Sequence, residues 1–144
     1  MGDIAKVREF VDAYRMAFES FDASAIVDLF FYPCQITSDA GEITVMTVPT
    51  RDLWLPQIER LVEAYQSIGV RSAEVVKLQV VELTPRLAQA AITWRLVDGA
   101  GQQLYGFDAA YTLADPGTGL RITAIAHNET PRLRATVARS RVRA

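Results

Sequence analysis

Residues 86–130 read RLAQAAITWRLVDGAGQQLYGFDAAYTLADPGTGLRITAIAHNET, and the alternation inside this stretch decides the fold class. Ala88, Ala90, Ile92, Trp94 and Leu96 fall on one face of an extended chain, with Gln89, Thr93 and Arg95 on the other, because successive strand side chains point to opposite sides. Asp98-Gly99-Ala100-Gly101 and Asp115-Pro116-Gly117-Thr118-Gly119 are turn chemistry. Strands over 86–98, 102–114 and 120–130 joined by such short links form an antiparallel meander. Just upstream, residues 70–84 are rich in valine and alternate imperfectly, which a bulge near Val75-Val76 or Val80-Val81 explains.

Toward the N-terminus the period changes. Ile4, Val7, Val11, Tyr14, Phe18 and Phe21 recur at steps of three and four, predicting one amphipathic helix over 3–20 with Asp3 as its cap. Asp22 caps a second, shorter helix carrying Ile26, Leu29 and Phe30, which Pro33 ends. Two short alternating runs, 34–38 and 43–47, flank Asp39-Ala40-Gly41-Glu42 and predict a hairpin. Pro49-Thr50 opens a third helix, with Ile58, Leu61, Val62, Tyr65 and Ile68 on one face and Gly69 at its end. Helices segregated from a consecutive antiparallel sheet define an α+β class.

The bulk composition agrees with one domain. The chain has 144 residues, half of them hydrophobic and 22% charged, the balance of an ordinary globular protein. A single cysteine, Cys34, excludes an intrachain disulfide and points to a reducing, cytoplasmic compartment. The N-terminus lacks the basic and apolar regions of a signal peptide, and no apolar run has the ~20 residues of a membrane helix. Thirteen arginines against two lysines, with many alanines, point to a high-GC bacterial source. Charge divides the chain into a domain over 1–131 with net −7 and a basic tail over 132–144 with net +5. The tail holds Arg132, Arg134, Arg139, Arg141 and Arg143 and reads as a solvated segment lying on its own acidic body or on a partner subunit. The body has no basic stripe to extend it, so no nucleic-acid partner is expected.

The element order, and the turn into the second helix at Phe21-Asp22-Ala23-Ser24-Ala25-Ile26-Val27-Asp28-Leu29-Phe30, resemble the NTF2-like superfamily, with its SnoaL-like and ketosteroid isomerase-like domains, over residues 3–130. The resemblance implies a cone: a curved antiparallel sheet wrapped around the long first helix, with two further helices and a pocket at the wide end. Small strand residues (Gly106, Ala110, Ala124, Ala126) are expected to leave room there, with Phe18, Ile36, Trp94 and Leu96 as walls. Tyr14, Ser38, Asp108 and Asn128 are the polar groups that alternation can place inside.

Ketosteroid isomerases use a helix-1 tyrosine and a protonated strand aspartic acid as an oxyanion hole, with a second aspartate as base. By that resemblance Tyr14 and Asp108 take the first two roles. The base position is occupied by Ser38, and Asp39 serves only if the turn rotates it inward. Strand 102–114 leaves the orientation of Asp108 open. Its odd face (Tyr105, Phe107, Tyr111, Leu113) is the more hydrophobic and is either core, which sends Asp108 outward, or a dimer interface on the convex sheet face. His127, the lone histidine, falls with Arg121, Thr123 and Glu129, away from Ala124 and Ala126, and is read as a surface or interface residue. One Cys and one His leave no metal-binding pattern, and no glycine-rich phosphate loop calls for a cofactor. The superfamily resemblance admits three functions: binding of a small hydrophobic molecule in the pocket, a cofactor-independent isomerase or cyclase acting on a carbonyl compound, and a homodimeric interaction module. The absence of an evident base favours the first.

Overall fold

The computed structural model describes residues 4–143, so Asp3, the expected first cap, lies outside the described residues. Helix α1 (Ile4–Glu19) buries Val7, Val11, Tyr14 and Ala17, a stripe set by steps of three and four. The chain then turns, and the Asp22 carboxylate accepts the Ala25 N–H at 3.0 Å to cap α2 (Ala23–Val27). This helix is shorter than its sequence suggests. Instead of running to Pro33, the chain enters strand β1 (Phe30–Asp39) at Phe30, because Phe30 pairs with Ile122 and the Ile122 N–H reaches the Leu29 carbonyl at 2.9 Å. Strand pairing overrides local helix preference here.

Strand β2 (Ile43–Val48) completes the hairpin, and α3 (Arg51–Ser67) follows with Thr50 as its cap and Trp54, Ile58, Val62 and Tyr65 buried. The chain then runs through β3 (Val70–Thr84), β4 (Leu87–Asp98), β5 (Gln103–Ala114) and β6 (Arg121–His127) as a meander. The sheet order is β2-β1-β6-β5-β4-β3, antiparallel except where β1 and β6 run parallel. Strand β3 is irregular at Val75/Lys77, where a bulge is expected from its sequence, and also at Val70/Ser72 and Glu82/Thr84. The pairing at Val80 and Val81 is regular. The curved sheet holds α1 in its concave face: the Tyr14 ring lies 5.7 Å from that of Tyr111 and 6.4 Å from that of Trp94.

Two features depart from the sequence reading. The last strand ends at His127, and residues 129–143 form helix α4 (Glu129–Arg143). The expected division at 131/132 therefore falls inside a helix. Thr136 is buried, and Leu133 and Val137 pack against the core cluster, so this helix packs on the domain with Arg132, Arg134, Arg139 and Arg141 exposed. Second, the register slips between Thr112 and Leu113: Thr112 faces Ala124, but Leu113 faces Ile122. One extra residue in β6 reverses its alternation. Ile122 and Ile125, three apart, are consequently both buried, and His127 follows Ile125 onto the inner side. Among the described residues no helix is long and apolar enough to cross a membrane.

Replacing both Leu133 and Val137 by alanine is expected to lower the unfolding free energy by about 1–3 kcal/mol, the scale for trimming partly buried aliphatic side chains. Urea denaturation checks this, and a midpoint equal to that of the wild type would return residues 132–143 to the status of a solvated tail.

Candidate functional site

The concave face lines a cavity of about 110 Å³. Helix α1 supplies Tyr14 and Phe18, α3 supplies Trp54, Ile58 and Tyr65, and the sheet supplies Ile36, Trp94, Phe107, Ala109, Tyr111 and Ile125. The register explains the selection from β4 and β5: Trp94 pairs with Phe107, Ile92 with Ala109 and Ala90 with Tyr111, so even residues of β4 and odd residues of β5 share one face. The odd face of β5 is thus core.

The carboxyl group inside this wall is Glu129. The Asn128 side-chain oxygen accepts the Asp108 N–H at 2.8 Å, and the Asn128 N–H donates to the Asp108 carbonyl at 3.3 Å. The chain then enters α4, whose first residue, Glu129, is buried. The Tyr65 and Tyr105 hydroxyls both donate to Glu129 Oε2, the second at 2.8 Å. Burial raises the Glu129 pKa above the usual carboxylate range, and the two tyrosine hydrogen bonds oppose that shift. Burial also raises both tyrosine pKa values, so these hydroxyls remain donors at neutral pH.

His127 lies against the same corner. Its Nδ1 accepts the Glu129 N–H at 3.1 Å, which places the proton of the neutral ring on Nε2, and burial lowers its pKa. A second polar group sits deeper: the Trp94 Nε1–H donates to the Tyr111 hydroxyl at 2.8 Å, and Tyr14 packs edge-on against Tyr111. At the rim, Arg15 pairs with Glu19 at 2.8 Å, and Glu19 also accepts the Ala73 N–H at 2.8 Å, tying α1 to β3. Trp54 Nε1 is buried without a hydrogen-bond partner.

Tyr14, Phe18, Ile36, Trp94 and Leu96 line the cavity. The other anticipated residues lie elsewhere, for reasons of alternation and turn geometry. Asp108 points to the outer face, where its carboxylate accepts the Thr93 hydroxyl at 2.7 Å. Ala110, Ala126 and Asn128 border a shallow groove on that same outer face. Ser38 shares a hydrogen bond of 3.1 Å with Thr130, away from the cavity lining. Asp39 stays in the exposed turn and accepts the Gly41 N–H at 3.1 Å. The isomerase arrangement of Tyr14, Asp39 and Asp108 is therefore not assembled around one cavity. Gly106 makes no room inside either; a Cβ there would meet the Trp94 carbonyl oxygen at 3.0 Å, so the close approach of β4 accounts for this glycine. His127, assigned to the surface by simple alternation, borders the cavity because of the β6 bulge.

Sequence reasoning missed Tyr65, Tyr105 and Glu129 as one group. The available signal was the aromatic odd face of β5 and an acidic residue opening an otherwise acid-free C-terminal segment, but only the fold brings α3, β5 and α4 together.

A curved sheet with α1 in its concavity and an aromatic-lined interior is the architecture of NTF2-like, cystatin-like cone proteins. The chain belongs to the NTF2-like protein family DUF6841, whose model matches residues 5–130. Solved structures give the same fold. An NTF2-like protein of unknown function from Shewanella oneidensis superposes with a TM-score of 0.70 at 11% identity, over 87% of this chain and 98% of that one. An NTF2-like protein with a cystatin-like fold from Novosphingobium aromaticivorans gives 0.69 at 16% identity, over 93% and 88%. An NTF2-like protein of unknown function from Pseudomonas putida gives 0.69 at 15%, over 89% and 88%. No functionally curated protein matches the chain.

The raised Glu129 pKa has a definite consequence for stability. Between the ordinary carboxylate value of 4.5 and the elevated folded value, the folded state holds a proton that the unfolded state has lost. The Glu129 contribution is thus fully present below 4.5 and declines as pH rises through the folded pKa. The lowered His127 pKa acts oppositely below 6.5. Subtracting the stability of Glu129→Gln from that of the wild type at each pH isolates the first effect. The difference is expected to move against the wild type as pH rises, and a flat difference would show an unperturbed Glu129.

Proposed function

We propose that this protein binds a small, largely apolar molecule inside the cone. The observation that carries this reading is the cavity itself, enclosed by aromatic side chains from α1, α3 and the sheet around one buried carboxyl. Drug-sized pockets measure roughly 300–1,000 Å³, whereas an apolar cavity of about 150 Å³ accepts benzene. At about 110 Å³ this cavity suits a single ring or a short branched chain, not a fused-ring steroid. The polar groups, Glu129 and the tyrosine hydroxyls, would orient such a guest.

A panel of one-ring and short-chain compounds, read by thermal unfolding, tests this. A bound compound raises the melting temperature in proportion to the logarithm of its concentration above Kd. Ala109→Leu, which fills the cavity from β5, should abolish the shift, while Ala126→Leu on the outer face should leave it intact. A shift lost equally in both variants, or absent with every compound, would sink the reading.

A second reading, proton transfer to or from a bound carbonyl compound, is supported by the environment of Glu129, a carboxyl of raised pKa beside neutral His127. Exchange of ketone α-protons with deuterated water, followed by NMR, should be accelerated by the wild type and lost in Glu129→Gln. Equal rates with and without protein would remove it. The outer sheet face is further proposed as a homodimer interface, with Val81 and Leu83 exposed on β3. Light scattering should then give twice the 15.9 kDa chain mass, and a value at the chain mass would refute the dimer.

A further inference from the structure

The charge demand inside the cavity is not balanced by the groups that line it. Glu129 is buried, and two tyrosine hydroxyls from different elements, Tyr65 and Tyr105, converge on its Oε2. Two donors aimed at one carboxylate oxygen are an arrangement that favours the ionised form. Around it stand Tyr14, Phe18, Tyr65, Trp94, Phe107 and Tyr111. Aromatic rings carry negative faces, which attract cations. Carboxyl and rings therefore share a demand for positive charge.

Among the described residues nothing in the interior meets it. The titratable groups around Glu129 are Tyr14 from α1, Tyr65 from α3, Tyr105 and Tyr111 from β5, and His127 from β6. The tyrosines are neutral donors, and burial disfavours the imidazolium form of His127. Arg15 is the cation bordering the cavity, and it is engaged at the rim by Glu19 at 2.8 Å and Asp12 at 3.8 Å. Along the chain, Arg132 lies one turn beyond Glu129 and donates to the Asn128 carbonyl at 3.0 Å.

We infer that the cavity recognises a compact organic cation, an alkylammonium or methylammonium head group seated between the aromatic walls and the Glu129 carboxylate. This rests on the reading of the cavity as a ligand site and specifies its ligand class. At about 110 Å³ the space fits a head group and a short chain, which leaves through the Arg15–Glu19 rim. Any proton that Glu129 holds in the free protein is released to solvent when the cation enters, and the carboxylate becomes its counter-ion. Binding therefore strengthens as pH rises, because less of the free protein has to release that proton.

The test is a matched pair: choline and 3,3-dimethylbutan-1-ol, the neutral isostere in which carbon replaces nitrogen, with toluene as an uncharged apolar control. Binding of each to the full-length protein is measured by calorimetry from about pH 5 to about pH 8. Choline should bind at least about tenfold more tightly than the alcohol at the upper pH, weaken on acidification and release protons in buffers of differing ionisation enthalpy. Glu129→Gln should erase the preference, and Ala109→Leu should abolish choline binding. The comparison between the two compounds on the wild type stands even if Glu129→Gln does not fold. An alcohol that binds as well as choline, toluene binding without choline, or choline binding unaltered in Glu129→Gln overturns the cation inference. Of these, alcohol or toluene binding that Ala109→Leu abolishes leaves the cavity as a ligand site. Failure of all three compounds at millimolar concentration overturns both the inference and the proposed function.

Discussion

The register in which β5 pairs with β4 and β6 sets the chemistry of the interior. Trp94 opposite Phe107 and Ala90 opposite Tyr111 place the aromatic side of β5 inward. The same alternation sends Asp108, Ala110 and their neighbours outward, into a face of small and polar residues. A slip of one residue would exchange the two sets completely. Such a slip occurs in β6 beside Thr112, and there it turns Ile125 and His127 toward the cavity. A single unpaired residue thus decides that the lone histidine borders the site.

The second constraint is the cost of burying Glu129. Taking a carboxylate out of water costs several kcal/mol even after relaxation. Each hydrogen bond to a charged group returns roughly 1.5–3 kcal/mol, so Tyr65 and Tyr105 offset much of that cost without cancelling it. The net direction of the Glu129 shift, upward, says that burial wins. A ligand of suitable charge or hydrogen-bonding character changes the protonation equilibrium of a carboxyl so placed. The interior is consequently apolar in shape and area but responsive at one point.

Helix α4 links this point to the rest of the fold. Its first residue is the cavity carboxyl, its Leu133 and Val137 pack on the core, and its exposed side carries Arg132, Arg134, Arg139 and Arg141. The family match ends at Thr130, just after the helix begins. Leu133 and Val137 thus hold in place the helix whose first residue is the cavity carboxyl.

The amino-acid sequence by itself determined the α+β class and most of the element types, because periods of two and 3.6 and the turn residues are local properties of the chain. It placed the α1 stripe through Tyr14, the third helix and the strands of the meander, and the resemblance of that order to the NTF2-like superfamily implied the cone. The superfamily resemblance, laid over that periodicity, put Tyr14, Phe18, Ile36, Trp94 and Leu96 on the cavity wall, where they lie. Tertiary structure alone decided the inward face of β5, where both faces were plausible and only pairing with β4 and packing on α1 separate them. The same holds for α4, whose polar sequence reads as a tail until Leu133 and Val137 find a surface to cover. It also decided the site, since Tyr65, Tyr105 and Glu129 lie on α3, β5 and α4 and meet only when the sheet curves. The physical reason is range: periodicity acts over a few residues, whereas register, bulge position and the convergence of donors on one oxygen depend on contacts between segments far apart in the chain.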